Sequence, residues 1–496
     1  MTKKDDKESQ STDQNKQVAP PQGLNKKLAF AIAAAALGSS FQHGYNSGVV
    51  NAPQDLIEDW IFNVLKNRSA ANGDNTPIDQ SRVTMIFSLA VSIFCVGGII
   101  GGAATGYVGE RFGRKGGLLL NNVFVVLASI FELFSKSFGS YEMIIIGRFL
   151  IGVNSGLNAG LAPMYLAEIS PVHLRGAVGT VYQLVITISI VISQILGLGS
   201  LLGTVDGWPL LLAFTLIPAI YQMITLPFCP ESPKYILLSK GQEIEAQRAL
   251  SWLRGTIEVH DEMDEMRAEY ESIKLIPKVG MREMFTNAQL RIPLFIAMSV
   301  MVAQQLSGIN AVIYFSTKIF KMAQLSENAA KWATLGMGTI NVMMTVVSLV
   351  LVEISGRKTL LLIGFTGMFF VTVLLTVVMQ FVSNSIMSIF CIVLVILFVV
   401  FFAVGPGSIP WFLVSELFNQ SARPLATSMA VSINWTANFI VGLGFLPIEA
   451  VIGGYVFAIF AVLLAIFVAF VYYKVPETKN KTQEEIAAMF RQISYE

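Results

Sequence analysis

Twelve long hydrophobic runs, separated by shorter polar stretches, organise the chain. Each run has about 20 residues, the length an α-helix needs to cross roughly 30 Å of hydrocarbon. We predict twelve transmembrane helices, beginning near Leu28, Val83, Leu118, Met143, Val178, Pro209, Ile292, Trp332, Thr359, Ile386, Leu425 and Ile452. They form two groups of six. The polar stretch between the groups contains the charged segments EIEAQRALSWLR and DEMDEMRAEYESIK, which predict helices outside the membrane.

This pattern predicts an all-α membrane protein made of two pseudo-symmetric six-helix bundles, at residues 28–229 and 290–474. Residues 230–289 would form a helical linker domain between the bundles. Residues 1–27 are polar and lack an apolar segment, so we expect a disordered tail and no cleaved signal peptide. Residues 475–496 would form a second tail.

Composition supports a membrane protein and excludes several function classes. Of the 496 residues, 54% are hydrophobic and only 14% are charged, which is unusual for a soluble protein. The net charge of +1 gives no indication of nucleic-acid binding. Cys95, Cys229 and Cys391 have no paired spacing, so neither disulfides nor a metal site is expected. The sequence also lacks a GxxxxGK[ST] phosphate loop, and we expect no cofactor.

The distribution of basic residues predicts the orientation. If the termini and the linker share one side, 27 of the 34 lysines and arginines fall on that side. The positive-inside rule therefore predicts that both termini and the linker are cytosolic. The long first outer loop carries the sequon Asn67-Arg68-Ser69, so Asn67 is a potential glycosylation site, although such triplets also occur by chance.

Three short signatures on the predicted cytosolic side occur twice, at nearly constant spacing. They are GRK at 113–115 and 356–358, Glu168 with Arg175 and Glu416 with Arg423, and PESPK from Pro230 and PETKN from Pro476. The offsets of 243, 248 and 246 residues indicate one internal duplication.

These charged residues suggest a cytosolic gate. Arginine and carboxylate side chains at helix ends can pair only while the two bundles are close on that side. We predict a gate formed by Arg114, Glu168, Arg175, Glu353, Arg357, Glu416 and Arg423. The alternative is that the basic residues only fix the topology.

The segment QQLSGIN, residues 304–310, places amides within the seventh hydrophobic run. On an unbroken helix Gln305 and Asn310 would point about 140° apart. Local unwinding at Ser307-Gly308 would turn both amides toward one cavity, as in the discontinuous helices of transporters. Amides both donate and accept hydrogen bonds, which suits a neutral ligand rich in hydroxyl groups.

Further polar residues lie within the hydrophobic runs. They are Gln42, His43 and Asn46 in the first, Gln183 and Gln194 in the fifth, Asn341 in the eighth, and Asn434 and Asn438 in the eleventh. Trp411, after GPGSIP, offers a flat face of the kind that stacks on a sugar ring. For each residue alone, interhelical hydrogen bonding or plain packing is the alternative interpretation.

Several motifs together resemble those of the animal facilitative glucose transporters, the sugar porter branch of the major facilitator superfamily. They include GYNSGVVNAPQ, GERFGRK, IGRF, PMYLAEISP, PESPK, QQLSGINAVIYFS, VEISGRKTL, GPGSIPWFLVSELF and PETKN. The resemblance implies a twelve-helix fold, alternating access, and hexose contacts at Gln183, Gln304, Gln305, Asn310, Asn341, Trp411 and Asn438. The chain departs from these relatives at Ala403, where an acid is usual, and at His43, where Phe is common.

We therefore expect passive hexose uniport across the plasma membrane, most readily of D-glucose, with galactose and fructose left open. A proton-coupled sugar symporter using His43 or Glu132 is the first rival. It is disfavoured because the site-lining runs lack a carboxylate and because Asn46 stands where proton-coupled relatives carry Asp. A sugar sensor that binds without transporting is the second rival.

Overall fold

Membrane-spanning helices make up most of the computed structural model, which describes residues 23–312, 320, 325–381 and 384–496. Within these residues ten helices are long and apolar enough to cross a membrane. One of the ten, Gln80–Phe134, bends at Gly113 and contains two spans. Residues 26–48 form one more span, which a π-helical turn at Ala36–Ser40 interrupts. The described chain thus contains the twelve predicted spans, each starting within five residues of its predicted position.

The bounds of the spans follow the hydrophobic runs. The first six are Lys26–Ala35 with Phe41–Gly48, the two arms of Gln80–Phe134, Tyr141–Ile169, Arg175–Leu196, and Trp208–Ala213 with Leu216–Thr225. The last six are Ala288–Leu306, Glu327–Ser355, Arg357–Val378, Ser385–Val404 with Ile409–Leu417, Arg423–Ile452 and Val456–Lys474.

Shorter helices lie outside the spans on both faces of the molecule. The linker contains Glu243–Arg254, His260–Ile273 and Met281–Thr286, as its charged segments predict. We call its side the linker face, and the side of the first-loop helix Gln54–Ala71 the opposite face. The C-terminal segment also forms a helix, Gln483–Tyr495, on the linker face.

Two details correct the sequence predictions. The first span begins at Lys26 because Asn25 caps it, accepting hydrogen bonds from the backbone N–H groups of Lys27 and Leu28. The predicted disordered tail therefore ends earlier than residue 27, and its residues 1–22 lie outside the described residues. Arg148, which the charge count assigns to the cytosolic side, is buried within the fourth span.

The internal duplication is confirmed at the start of the third and ninth spans. Gly113 and Gly356 have nearly the same backbone angles, φ 79° and 82° with ψ 173° and 179°, which glycine adopts without strain. The carboxylate of Glu231 accepts from the N–H of Lys115 at 3.0 Å, and that of Glu477 accepts from Lys358 at 3.1 Å. Each half thus caps a helix N-terminus with the acid of its PES or PET motif.

Glycines let the second span pack closely against both bundles. Gly97 and Gly101 face the backbone of the fourth span, so that a side chain at either position would overlap it. Gly98, Gly102 and Gly106 face the eleventh span of the other bundle. The N–H of Gly106 donates to the Ser428 hydroxyl across this seam.

Candidate functional site

The linker face is closed by buried ion pairs that join the two bundles. Glu168 of the N-terminal bundle pairs with Arg114 of the same bundle at 2.9 Å and with Arg423 of the C-terminal bundle at 2.8 Å. All three side chains are at most 2% exposed. The Ser232 hydroxyl also donates to Glu168, at 2.6 Å. A carboxylate buried at this depth is stable only because its charge is compensated.

The C-terminal bundle repeats this arrangement. Glu416 pairs with Arg357 of its own bundle at 3.0 Å and with Arg175 of the N-terminal bundle at 2.7 Å. Glu353 adds a third contact across the seam, because its carboxylate accepts from the N–H of Ala177 at 2.8 Å. The structure therefore places all seven predicted gate residues in these two clusters, each of which contains contacts between the bundles.

The division of roles within the gate differs from our expectation in one respect. Arg114 and Arg357 each pair with a carboxylate of their own bundle, so neither joins the two halves. The contacts between bundles come from Arg175 and Arg423 instead. The cause is geometric: Arg114 and Arg357 follow the glycine bends, which direct both side chains back into their own bundle.

The seventh span unwinds where the sequence predicts. Its regular helix ends at Leu306, and Gly308 has a φ of 93°. The amide of Asn310 consequently donates to the Gln305 side chain at 3.4 Å, which an unbroken helix would not allow. A side chain at Gly308 would lie 2.8 Å from the ring of Phe460.

Four of these polar side chains form one group, which we call the amide cluster: Gln305, Asn310, Asn434 and Asn438. Gln305 donates to Asn434 and Asn310 donates to Asn438, both at 3.4 Å. These distances exceed the usual 2.9–3.0 Å, so the bonds are weak. Except for Asn434, the members are only partly buried. Hydroxyl groups of a ligand could replace the weak bonds at little cost.

Gln304 has a different environment. Its amide donates to the backbone oxygens of Pro406 and Gly407, each at 3.0 Å, and accepts from Asn434 at 3.0 Å. It is 2% exposed. The tenth span is broken between Val404 and Ile409, and Gln304 satisfies carbonyl groups that this break leaves free. Its geometry is that of a brace, and contact with a ligand stays a prediction.

Aromatic rings from both bundles meet beside the amide cluster. His43 contacts Tyr182, Trp411 and Trp435, with ring centroids 5.4–5.8 Å apart, and Phe94 contacts Trp435 at 5.4 Å. We call these five residues the ring cage. His43, Phe94 and Tyr182 lie on the first, second and fifth spans of one bundle. Trp411 and Trp435 lie on the tenth and eleventh spans of the other. Asn434 and Trp435 are adjacent, so the cage adjoins the amide cluster.

Several polar atoms in this region have no hydrogen-bond partner among the described residues. They include Asn341 Oδ1 and Trp435 Nε1, both fully enclosed. Gln183, which follows Tyr182 in the chain and is 9% exposed, makes no hydrogen bond to any described residue through its side chain. Unpaired polar groups in such surroundings are costly unless a ligand or water pairs with them.

Sequence reasoning missed three cage residues, Phe94, Tyr182 and Trp435. Tyr182 directly precedes Gln183 and Trp435 directly follows Asn434, two amides that it did identify. The signal available was the glycine series of the second span, because Gly98 leaves the room that the ring of Trp435 fills. Ala403, which stands where an acid is usual in the relatives that the chain resembles, is only 2% exposed within the tenth span.

Comparison with known proteins identifies the family. The family model described as Sugar (and other) transporter matches residues 31–490. The chain belongs to the sugar transporter family. Among similar sugar transporters, the solute carrier family 2 facilitated glucose transporter member 1 of Gallus gallus is 45% identical over 470 residues, covering 95% of this chain and 94% of the relative. The facilitated glucose transporter protein 1 of Caenorhabditis elegans is also 45% identical, covering 97% and 94%.

Solved structures of sugar transporters share the fold. The proton:xylose symporter XylE bound to 6-bromo-6-deoxy-D-glucose aligns with a TM-score of 0.82 at 24% identity, over 94% of this chain and 99% of that one. The inward-open XylE structure from E. coli aligns with a TM-score of 0.65 at 25% identity, over 93% and 99%. The predicted two-bundle architecture is thereby confirmed.

Proposed function

We propose that this protein transports hexoses passively, with D-glucose as the principal substrate, by alternating access between its two bundles. The observation that carries the proposal is the amide cluster, which lies beside rings from both bundles and contains no charged side chain. The similarity to facilitated glucose transporters over most of the chain supports it. We further propose a plasma-membrane location with a cytosolic linker face and a glycan at Asn67, which is exposed on the opposite face.

The chemistry of the site suits a neutral sugar. Hydroxyl groups would replace the weak bonds among Gln305, Asn310 and Asn438, while Gln183 and Asn341 supply unpaired groups on other spans. Trp411 offers an aromatic face for the apolar face of the ring. Because the site joins both bundles, bound sugar can favour their closure around it. Release toward the linker face then requires the Arg175 and Arg423 pairs to separate.

Weak binding is compatible with this task. A dissociation constant near 1 mM corresponds to only about 4.1 kcal/mol, a small surplus over the cost of desolvating the hydroxyl groups. Tighter binding would slow release.

Replacing Gln305 with alanine should weaken sugar binding about tenfold or more, because hydrogen bonds of about 1 kcal/mol each are lost and Asn310 and Asn434 lose a partner. Half-saturation of D-glucose uptake into proteoliposomes measures the effect. Gln380→Ala is the matched control, since among the described residues this exposed amide bonds only to the backbone of Thr376. Equal half-saturation in Gln305→Ala and the unmodified protein would refute the site.

Proton coupling is the second candidate, and Glu132 is the observation that favours it. This carboxylate is 1% exposed in the third span, and neither oxygen has a hydrogen-bond partner among the described residues. Buried carboxylates within spans are commonly proton carriers. We nevertheless expect D-glucose uptake to be unchanged by a protonophore, and by Glu132→Gln, because Glu132 belongs to neither the amide cluster nor the ring cage. Uptake that collapses with the proton gradient would establish the symporter instead.

A further inference from the structure

A cavity of about 680 Å³ opens on the linker face, where the second and eleventh spans meet the linker. It lies at the seam between the bundles, away from the amide cluster and the ring cage. Its walls come from the last turns of the second span, the first turns of the eleventh, and the linker segments 238–241 and 270–281.

The lining of this cavity, which we call the seam pocket, changes from basic at one end to apolar at the other. Lys240, Lys274 and Lys278 lie at the linker end, and Glu110 is the single acid among the lining residues. Lys278 pairs with Glu110 at 3.5 Å, and its side chain stays 85% exposed. Pairs this exposed contribute little, so the positive charge remains available to a ligand.

The other end of the seam pocket is apolar and open to the side. Ala103 and Tyr107, one turn apart on the second span, are both exposed, Tyr107 at 71%, and Leu425 lines the facing wall. Ala103 precedes the bend at Gly113 by ten residues, which places it about 15 Å inside the span. This flank therefore faces hydrocarbon. A ligand that fills the pocket must be anionic at one end and apolar at the other.

The adjoining linker surface has the same mixed character. Leu275, Ile276 and Met281 are 86%, 56% and 54% exposed; Lys274 directly precedes Leu275, and Lys278 lies between Ile276 and Met281 in the sequence. Large apolar side chains interspersed with lysines are typical of segments that lie in the headgroup region of a bilayer.

The internal duplication shows that the seam pocket is a local departure from symmetry. At the matching seam between the fifth and eighth spans, Glu353 accepts from the N–H of Ala177 and so bridges the two bundles. Glu110 is the counterpart of Glu353, 243 residues earlier, but its contact beyond its own helix is with Lys278 of the linker. The carboxylate thus bridges the bundles at one seam, whereas at the other it lines a cavity together with lysines.

We propose that the seam pocket binds an anionic phospholipid, with the headgroup at Lys240, Lys274 and Lys278 and an acyl chain along Tyr107 and Leu425. The hydrogen bond from Gly106 to Ser428 forms the inner wall, so the pocket exists only while the second and eleventh spans are together. The lipid therefore stabilises the form that is closed on the linker face.

The test measures lipid retained by the full-length protein after purification in detergent containing equal amounts of phosphatidylserine and phosphatidylcholine. We expect preferential retention of phosphatidylserine. Changing Lys240, Lys274 and Lys278 together to glutamine should lower that retention about tenfold, since each basic residue near a membrane surface attracts anionic lipid. In detergent without added lipid the thermal transition should stay unchanged, because the three side chains are exposed.

Two controls make the test specific. Changing Lys26, Lys27 and Lys474 to glutamine removes the same charge from the same face outside the pocket, and should leave retention unaltered. Glycerophosphoserine and inorganic phosphate, which lack acyl chains, should not displace the lipid. Equal losses in both triple variants would show diffuse attraction only, displacement by phosphate would show a simple anion site, and unchanged retention in the pocket variant would exclude the site. Each of these results overturns the proposal.

Discussion

Replacing Glu416 with alanine should destabilise the protein by about 3–5 kcal/mol, because it leaves buried arginines without their carboxylate. Arg357 is fully enclosed and Arg175 is 4% exposed, and both pair with this one acid. Water can reach the two guanidinium groups only if the bundles separate on the linker face. We therefore expect the variant to populate the form that is open on that side.

Two measurements check this result. Thermal unfolding reports the loss of stability, and labelling of a cysteine introduced at Ser415, which lines a linker-face cavity beside Arg423, reports the opening. The control is Glu110→Ala, whose side chain is 26% exposed and pairs at 3.5 Å or more. If Glu416→Ala and Glu110→Ala have the same labelling rate and stability, the ion pairs do not close the linker face.

Replacing Gly308 with alanine should abolish most sugar transport. Its φ of 93° is unfavourable for any residue with a side chain, at a cost of about 1–2 kcal/mol, and the new methyl group would lie 2.8 Å from the ring of Phe460. The seventh span would then wind differently, and Gln305 and Asn310 would no longer face one another. D-glucose uptake, corrected for the amount of folded protein, measures the loss.

The steric and conformational parts of this effect can be separated. Phe460→Ala combined with Gly308→Ala removes the overlap but not the backbone cost, so we expect only partial recovery of transport. Gly336→Ala is the control, because that glycine has an ordinary φ and no neighbouring atom within 4 Å of the added carbon. Full transport in Gly308→Ala alone would show that the break does not shape the site.

Much of the fold followed from the sequence because the bilayer restricts what an apolar run of this length can do. The starts of the spans were predictable from hydrophobicity, whereas the repeated GRK indicated a duplication and did not predict the glycine bends there. The unwinding at Gly308 was predictable as well, because two amides on opposite sides of one helix required it. The C-terminal helix was missed, although Thr482 and Glu485 form the capping box that marks its beginning.

Contacts between distant spans could not be read in this way. Gln304 and Gln305 are adjacent amides in one motif, and only the break in the tenth span decides that Gln304 braces a backbone while Gln305 stays in the cluster. Likewise, the two matched pairs, Arg114 with Arg357 and Arg175 with Arg423, gave no indication of which pair would cross between the bundles. Both distinctions depend on helix rotations that a hydropathy pattern does not contain.

The pairing of Glu168 and Glu416 with two arginines each has a consequence for turnover. When the bundles part, Glu168 keeps Arg114 and Glu416 keeps Arg357, so no acid is stranded in a nonpolar setting. Among the described gate residues, two guanidinium groups, those of Arg175 and Arg423, must exchange a carboxylate for water, and guanidinium is among the more weakly hydrated cations. The two end states can therefore lie close in free energy, which is what a carrier with no external energy source needs in order to cycle in both directions.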